Sequence, residues 1–297
     1  MMFFLYLCRM KTGRHIDIMG IVNLTEDSYF AESRCGDADD ALRRVEKMLE
    51  EGADIIDIGA CSSRPGSVPV GAEEEWRRLE PVLKAVRYSF PHTRISIDTY
   101  WSFVVEKAYC QIGDFIINDI SAGEDDPRML SVAGRLGLEY IAMHKRGTPE
   151  TMQSMTDYED VAEDVISYFQ GFASKAYDAG IKSWIVDPGF GFAKTIAQNY
   201  QLLGALPEIK GALSAGPCMP PSKLLVGVSR KSMICRPLGI SPDESLAATQ
   251  AVHMAALLQG ADILRVHDVK EAKNTVLLFN MLASAGKEDI ECCRDLR

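Results

Sequence analysis

The chain has 297 residues, 47% hydrophobic and 25% charged, with a formal net charge of −10 at pH 7. That is the composition of a globular protein with ample core, and its acidic balance argues against general nucleic-acid binding. Eight scattered cysteines, with neither C-x-x-C nor zinc spacing, read as reduced thiols of a cytoplasmic protein and not as a disulfide framework.

Residues 1–14 open with an apolar run, Met1–Cys8, which has no basic residue before it and is too short to span a bilayer. They read as an N-terminal extension. Strand and helix signals then alternate to residue 285, and a polar tail, 286–297, follows. Ile16–Ile21 reads as the first strand and Ala38–Glu51 as its helix, with Ala41, Leu42, Val45, Met48 and Leu49 at helical spacing. Ile55–Ile58 is followed by the helix Ala72–Tyr88, whose Glu73–Glu75 reads as a solvated, acidic helix start. Arg94–Asp98 precedes Trp101–Gln111, Phe115–Asn118 precedes Pro127–Arg135, and Glu139–His144 precedes Tyr158–Ala179. Trp184–Val186 leads to Asp187 and the helix Ile196–Leu206. A Gly/Pro-rich linker, Leu213–Ser222, separates these from the strand Leu224–Val228 and the helix Asp243–Gln259. Ile263–Val266 and Lys270–Ser284 complete the series.

Eight strand–helix pairs with short, nearly all-apolar strands predict a parallel sheet buried on both faces. They close most naturally into an α/β fold of one domain, a (β/α)8 TIM barrel over 15–285. An open doubly wound sheet would more often carry a G-x-G-x-x-G loop after its first strand, and none is present.

A barrel brings the residues that follow its strands to one face. Asp98, Asn118, Asp187 and Lys231 there supply acceptors, an amide and a cationic donor, a set suited to the edge of a flat heterocycle. Asn23, Arg64, Arg265 and His267 form a second group, amide or cationic, suited to an anion such as phosphate, with Asn23 able to hold a hard cation. A ring and a phosphate-type leaving group together imply group transfer by displacement. Competing patterns fit less well. G-F-G-F-A-K-T (189–195) has Pro188 and Ala193 where a P-loop needs Gly, V-G-V-S-R-K lacks the G-x-S-x-G elbow, and His144, His267, Asp98 and Asp187 lack metal-hydrolase spacing.

Eight stretches in order resemble the dihydropteroate synthase family. They are M-G-I-V-N-L-T-E-D-S-Y-F (19–30), G-A-D-I-I-D-I-G-A-C-S-S-R-P-G (52–66), I-S-I-D-T (95–99), I-I-N-D-I (116–120), A-M-H-K-R-G-T-P-E-T-M-Q (142–153), D-P-G-F-G-F-A-K-T (187–195), V-G-V-S-R-K-S (226–232) and R-V-H-D-V (265–269). The resemblance implies a transferase that joins 6-hydroxymethyl-7,8-dihydropterin diphosphate to p-aminobenzoate, with Mg2+ as cofactor and a homodimer as the assembled form. It implies that Asp98, Asn118, Asp187, Lys231 and Arg265 hold the pterin, with Asp98, Lys231 and Arg265 catalytic. Asn23, Arg64, Arg265 and His267 would take the diphosphate, Asn23 holding the metal. Ser63, Arg64, Pro65, Phe192, Ser229 and Lys231 would surround p-aminobenzoate. The chain departs from the family at Glu26, where Pro is usual, at Ala31–Arg34, at Cys61 and Ser63, where Glu and Thr are common, and at Lys145, where an apolar residue is usual.

Overall fold

A computed structural model describes residues 15–24, 38–61, 70–148, 151–216 and 218–294. Eight parallel strands close a barrel in sequential order: β1 (Asp17–Asn23), β2 (Ile55–Gly59), β3 (Arg94–Asp98), β4 (Ile116–Asp119), β5 (Glu139–Met143), β6 (Trp184–Asp187), β7 (Lys223–Val226) and β8 (Ile263–Val266). β8 pairs with β1 through Asp17 and Ile263, so no strand edge is left open. Helices α1 (Ala38–Glu50), α2 (Ala72–Ser89), α3 (Ser102–Ile112), α4 (Met129–Leu136) and α5 (Val161–Asp178) follow the first five strands. After β6 come α6 (Ile196–Gly204) and α7 (Leu206–Ser214). After β7 come α8 (Ser232–Leu238) and α9 (Leu246–Leu258), and α10 (Val269–Arg294) follows β8.

The predicted alternation holds, and the differences have local causes. Ile196–Leu206 is not one helix: the chain breaks at Ala205, and Pro207 stands in the first turn of a new helix that takes the first part of the expected linker. α8 has only seven residues and contains Pro237, so no helical periodicity marks it in the sequence. Tyr158–Ala179 becomes helical only at Val161, where Asp160 caps the Ala162 and Glu163 amides. The last helix continues past Ser284 to Arg294. Glu73–Glu75 is corrected in one member. Glu75 is fully buried on the inner face of α2, while Glu73 and Glu74 fit the expected acidic first turn.

Two apolar regions hold the fold. The larger lies between barrel and helices and includes Val22, Ile58, Leu79, Leu83, Val105, Phe169, Trp184 and Leu257, all with side chains removed from water. The smaller fills the barrel itself: Met19, Ile55, Ile116, Ile141, Ile185, Leu225 and Ile263. Each of these branched or flexible side chains comes from a different strand, so the barrel floor is packed solid. Among the described residues no helix is long and apolar enough to cross a membrane. The N-terminal extension expected over 1–14 lies outside the described residues.

Candidate active site

Side chains alternate across a strand, so the residue two positions beyond an inward one also points inward. Above Ile55, Ile116, Ile185 and Ile263 this rule places Asp57, Asn118, Asp187 and Arg265. A polar layer thus lies directly on the apolar floor, at the C-terminal end of the strands. Asp98, at the end of β3, is in register with Asn118 of β4 and with Gly59 of β2. A Cβ at Gly59 would stand 3.1 Å from that of Asp98, so this position leaves room for the carboxylate.

Arg265 organises the layer. Its Nε donates to Asp57 Oδ2 at 2.7 Å and its Nη2 to Asp98 Oδ2 at 2.8 Å. Asn118 Nδ2 donates to both oxygens of Asp57, at 3.2 and 3.1 Å. Asp57 is buried and was not singled out from the sequence. Its signal was there, as an acid interrupting I-I-D-I at the inward register. Although burial opposes it, Asp57 and Asp98 hold the Arg265 guanidinium above its ordinary range. Burial pushes the Asp98 carboxyl up to about 7; Asp57, Asp119 and Asp187 add to this and Arg265 opposes it. Asp187 is also raised by burial, against Lys231 and the Gly189 amide, which donates to its Oδ1 at 2.8 Å.

The loop after β6 turns as expected around its glycines. Gly189 has φ +73°, and a Cβ there would lie 1.9 Å from the His144 carbonyl oxygen. Ala193 adopts φ +50° in the same loop without being glycine, a strained conformation. Lys231 Nζ donates to the Phe190 carbonyl at 2.5 Å and lies 4.9 Å from the centroid of the Phe192 ring. Burial lowers its ammonium to about 8, and Asp187 opposes that shift. Phe192 and Lys231 therefore stand together beside the loop after β6.

On the far side of Arg265, His267 is buried. The Ser229 hydroxyl accepts its backbone N–H at 3.2 Å and lies 3.0 Å from its Nδ1. Burial, then Arg265 and Arg230, lower His267 to about 3, so the ring is neutral at physiological pH. Ser229, expected beside p-aminobenzoate, places its hydroxyl against His267. Arg44 reaches in from α1 to the His267 carbonyl at 2.9 Å. Asn23 ends β1 beside Gly59. Ser63, Arg64 and Pro65, with Glu26 and Ala31–Arg34, lie outside the described residues.

Other strand-end residues serve the framework. Asp119 accepts from the Ser121 and Gly123 amides, at 2.7 Å each, and pairs with Tyr140. Arg230 forms a forked pair with Asp268, at 2.9 and 2.7 Å, that ties β7 to β8. His144 faces away from the mouth toward Lys194, 2.9 Å from its Nδ1. Two departures from the family pattern also find a place. Lys145 is buried and paired with Asp125 at 2.6 Å, so the unusual charge is met. Cys61 lies 3.9 Å from the Tyr100 hydroxyl, and burial raises its thiol pKa.

Comparison with known proteins finds that residues 19–267 match the family described as Pterin binding enzyme. Dihydropteroate synthase of Escherichia coli K12 is 38% identical over 273 residues, 91% of this chain and 93% of that protein. A Yersinia pestis dihydropteroate synthase with a sulfonamide drug superposes with a TM-score of 0.83 at 37% identity, covering 93% of this chain and 96% of the other. The Burkholderia cenocepacia dihydropteroate synthase complexed with 7,8-dihydropteroate gives 0.81 at 37% identity, covering 92% and 94%.

Proposed function

The chain belongs to the dihydropteroate synthases of the pterin-binding enzyme family, and from that membership we propose how its residues carry out the reaction. The enzyme joins 6-hydroxymethyl-7,8-dihydropterin diphosphate to p-aminobenzoate, giving 7,8-dihydropteroate and pyrophosphate. The observation that carries the residue assignment is the inward layer of Asp57, Asn118, Asp187 and Arg265 at the barrel mouth, with Asp98 and Lys231 at its rim.

Asp187 and Asn118 meet the amino-pyrimidine edge of the pterin, where alternating ring donors and acceptors need a carboxylate and an amide. Lys231 donates to the opposite edge. Arg265, fixed by Asp57 and Asp98, lies across the ring and reaches the diphosphate, which His267 and Asn23 also receive. Cleavage of the carbon–oxygen bond leaves the pterin methylene cationic and the diphosphate anionic. Asp98 stabilises the first charge, and Arg265 the second; both act in a preorganised, largely dry site. The amine of p-aminobenzoate, held against Phe192 and Lys231, then forms the new C–N bond and gives up a proton. The enzyme needs no covalent intermediate of its own.

The donor set on the anion side suits Mg2+. One amide oxygen, that of Asn23 at the end of β1, would hold it, since Mg2+ is commonly held by few protein ligands together with phosphate oxygens and water. Bound there, the ion would neutralise diphosphate charge. A second copy of the chain is proposed to cover α10, where Leu277, Leu278, Met281 and Leu282 form an exposed stripe at helical spacing. Free thiols at Cys61, Cys110, Cys218 and Cys235 suit the reducing cytoplasm, its proposed location.

Incubation with the pterin diphosphate, p-aminobenzoate and Mg2+ tests the assignment. 7,8-Dihydropteroate is expected by mass spectrometry, and its loss in Asp98→Asn and Lys231→Ala. A Lys231→Ala protein with unchanged pterin affinity in calorimetry overturns the role given to that lysine.

A further inference from the structure

Lys194 is 5% exposed, and no carboxylate pairs with it among the described residues. A buried ammonium is costly unless its hydrogens are met. Here each has an acceptor: Nδ1 of His144 at 2.9 Å, the Gly189 carbonyl at 3.0 Å and the Phe192 carbonyl at 3.1 Å. A lysine has three donors, so its capacity is filled. Burial lowers its pKa to about 7, with Asp187 opposing and Lys231 reinforcing that shift. Such a group stabilises the fold poorly for its cost, and its bonds point to a different use.

Two of the acceptors belong to one loop. Gly189 and Phe192 are already joined by a turn, Phe192 N–H to the Gly189 carbonyl at 3.2 Å. Between them, the Phe190 carbonyl receives Lys231, and the Phe192 ring faces the same ammonium. The third acceptor anchors the lysine to β5. His144 is neutral, lowered to about 2 by burial and by Lys194 and Arg146, and its Nε2 lies 3.3 Å from Asp164 Oδ1. Asp164 in turn pairs with Arg146. A continuous chain of polar contacts therefore runs from α5 through His144 and Lys194 to the backbone that carries the Phe192–Lys231 wall. Of the pterin layer, Asp187 touches this loop, accepting from the Gly189 amide at 2.8 Å, while Asp57, Asn118 and Arg265 make none of these bonds.

We propose that Lys194 is a positioning residue for the aryl-amine side of the site, holding the Gly189 and Phe192 carbonyls so that Phe192 and Lys231 stand together. The role rests on the assignment of that wall to p-aminobenzoate under Proposed function. Its effect falls mainly on the aryl-amine side, because Phe192 serves that substrate alone, while Asp57, Asn118 and Arg265 hold the pterin layer without it.

The test is steady-state kinetics of Lys194→Met and Lys194→Gln, with calorimetry of the pterin diphosphate. In Lys194→Met the KM for p-aminobenzoate rises about tenfold, as loss of a charge-assisted clamp implies. Its kcat stays within about threefold, the pattern of a lost ground-state contact, and pterin affinity falls by no more than about threefold. Lys194→Gln, whose amide still donates, recovers part of the loss. If Lys194→Met does not fold by circular dichroism, the same split is read from Lys194→Gln. Folded variants with wild-type KM, or with pterin affinity falling as far as KM rises, overturn the proposal. A wild-type chain that makes no dihydropteroate overturns the underlying site assignment instead.

Discussion

Arg265 Nε lies 2.7 Å from Asp57 Oδ2 across the barrel mouth, and the two come from strands 208 positions apart in sequence. Asp57 is held in turn by both bonds from Asn118. One buried carboxylate thus aims the guanidinium and the amide that are assigned to the substrate.

Asp57→Asn keeps the shape and removes the charge. Loss of a charge-assisted bond costs roughly 1.5–3 kcal/mol, so kcat/KM for the pterin diphosphate is expected to fall about tenfold to a hundredfold. The same change removes a like charge near Asp98, whose pKa Asp57 helps to raise. The acid limb of the pH profile therefore moves to lower pH. Unchanged kinetics and an unmoved limb would reject the part given to Asp57.

The wild-type pH profile follows from two shifted groups. Asp98, pushed up to about 7, must be ionised to stabilise a cation, so kcat/KM rises through about pH 7. Lys231, lowered to about 8, must be protonated to donate, so kcat/KM falls through about pH 8. The expected curve is a narrow bell with its maximum between those values. A flat profile from pH 6 to 9 contradicts both roles.

Glu75 gives a stability prediction separate from catalysis. Its carboxylate is fully buried, and burial raises its pKa to about 8, with a hydrogen bond from Thr99 opposing and Asp98 adding. The folded acid keeps its proton up to about pH 8, whereas the unfolded one loses it near the ordinary value of 4.5. Its contribution to stability is therefore full below 4.5 and declines as pH rises through 8. Denaturant titrations should show Glu75→Gln gaining on the wild type between pH 5 and 9. Parallel curves for the two proteins would refute the assignment.

The stripe on α10 predicts a dimer that polar substitution breaks. Leu278 and Met281 are 59% and 69% exposed, unusual for such residues side by side. Leu278→Glu with Met281→Lys is expected to halve the mass seen by light scattering and leave circular dichroism unchanged. A wild-type monomer at the same concentration rejects this surface as the interface.

Much of this architecture is legible in the chain. Alternating short apolar runs and amphipathic stretches predict the barrel, and the polar residues after each run predict where Asp98, Asn118, Asp187 and Lys231 meet. What escaped depends on direction, which a linear pattern carries poorly. Asp57 looks like a flaw in an apolar strand until the closed sheet turns it inward beside Arg265. His144 follows its strand like a mouth residue, yet the β6 loop folds back and buries it against Lys194. Glu75 sits in an acidic run whose first two members meet water, and only the packing of α2 sends the third inside. Ser229 follows its strand as predicted, but its hydroxyl is drawn to the His267 backbone.

The central claim is that the diphosphate leaves as an aryl amine takes its place on the pterin. Pyrophosphate release from 6-hydroxymethyl-7,8-dihydropterin diphosphate, followed with and without p-aminobenzoate, measures it directly. The account predicts release that depends on p-aminobenzoate and matches dihydropteroate formed mole for mole. Tight pterin binding with no aminobenzoate-dependent release would contradict it.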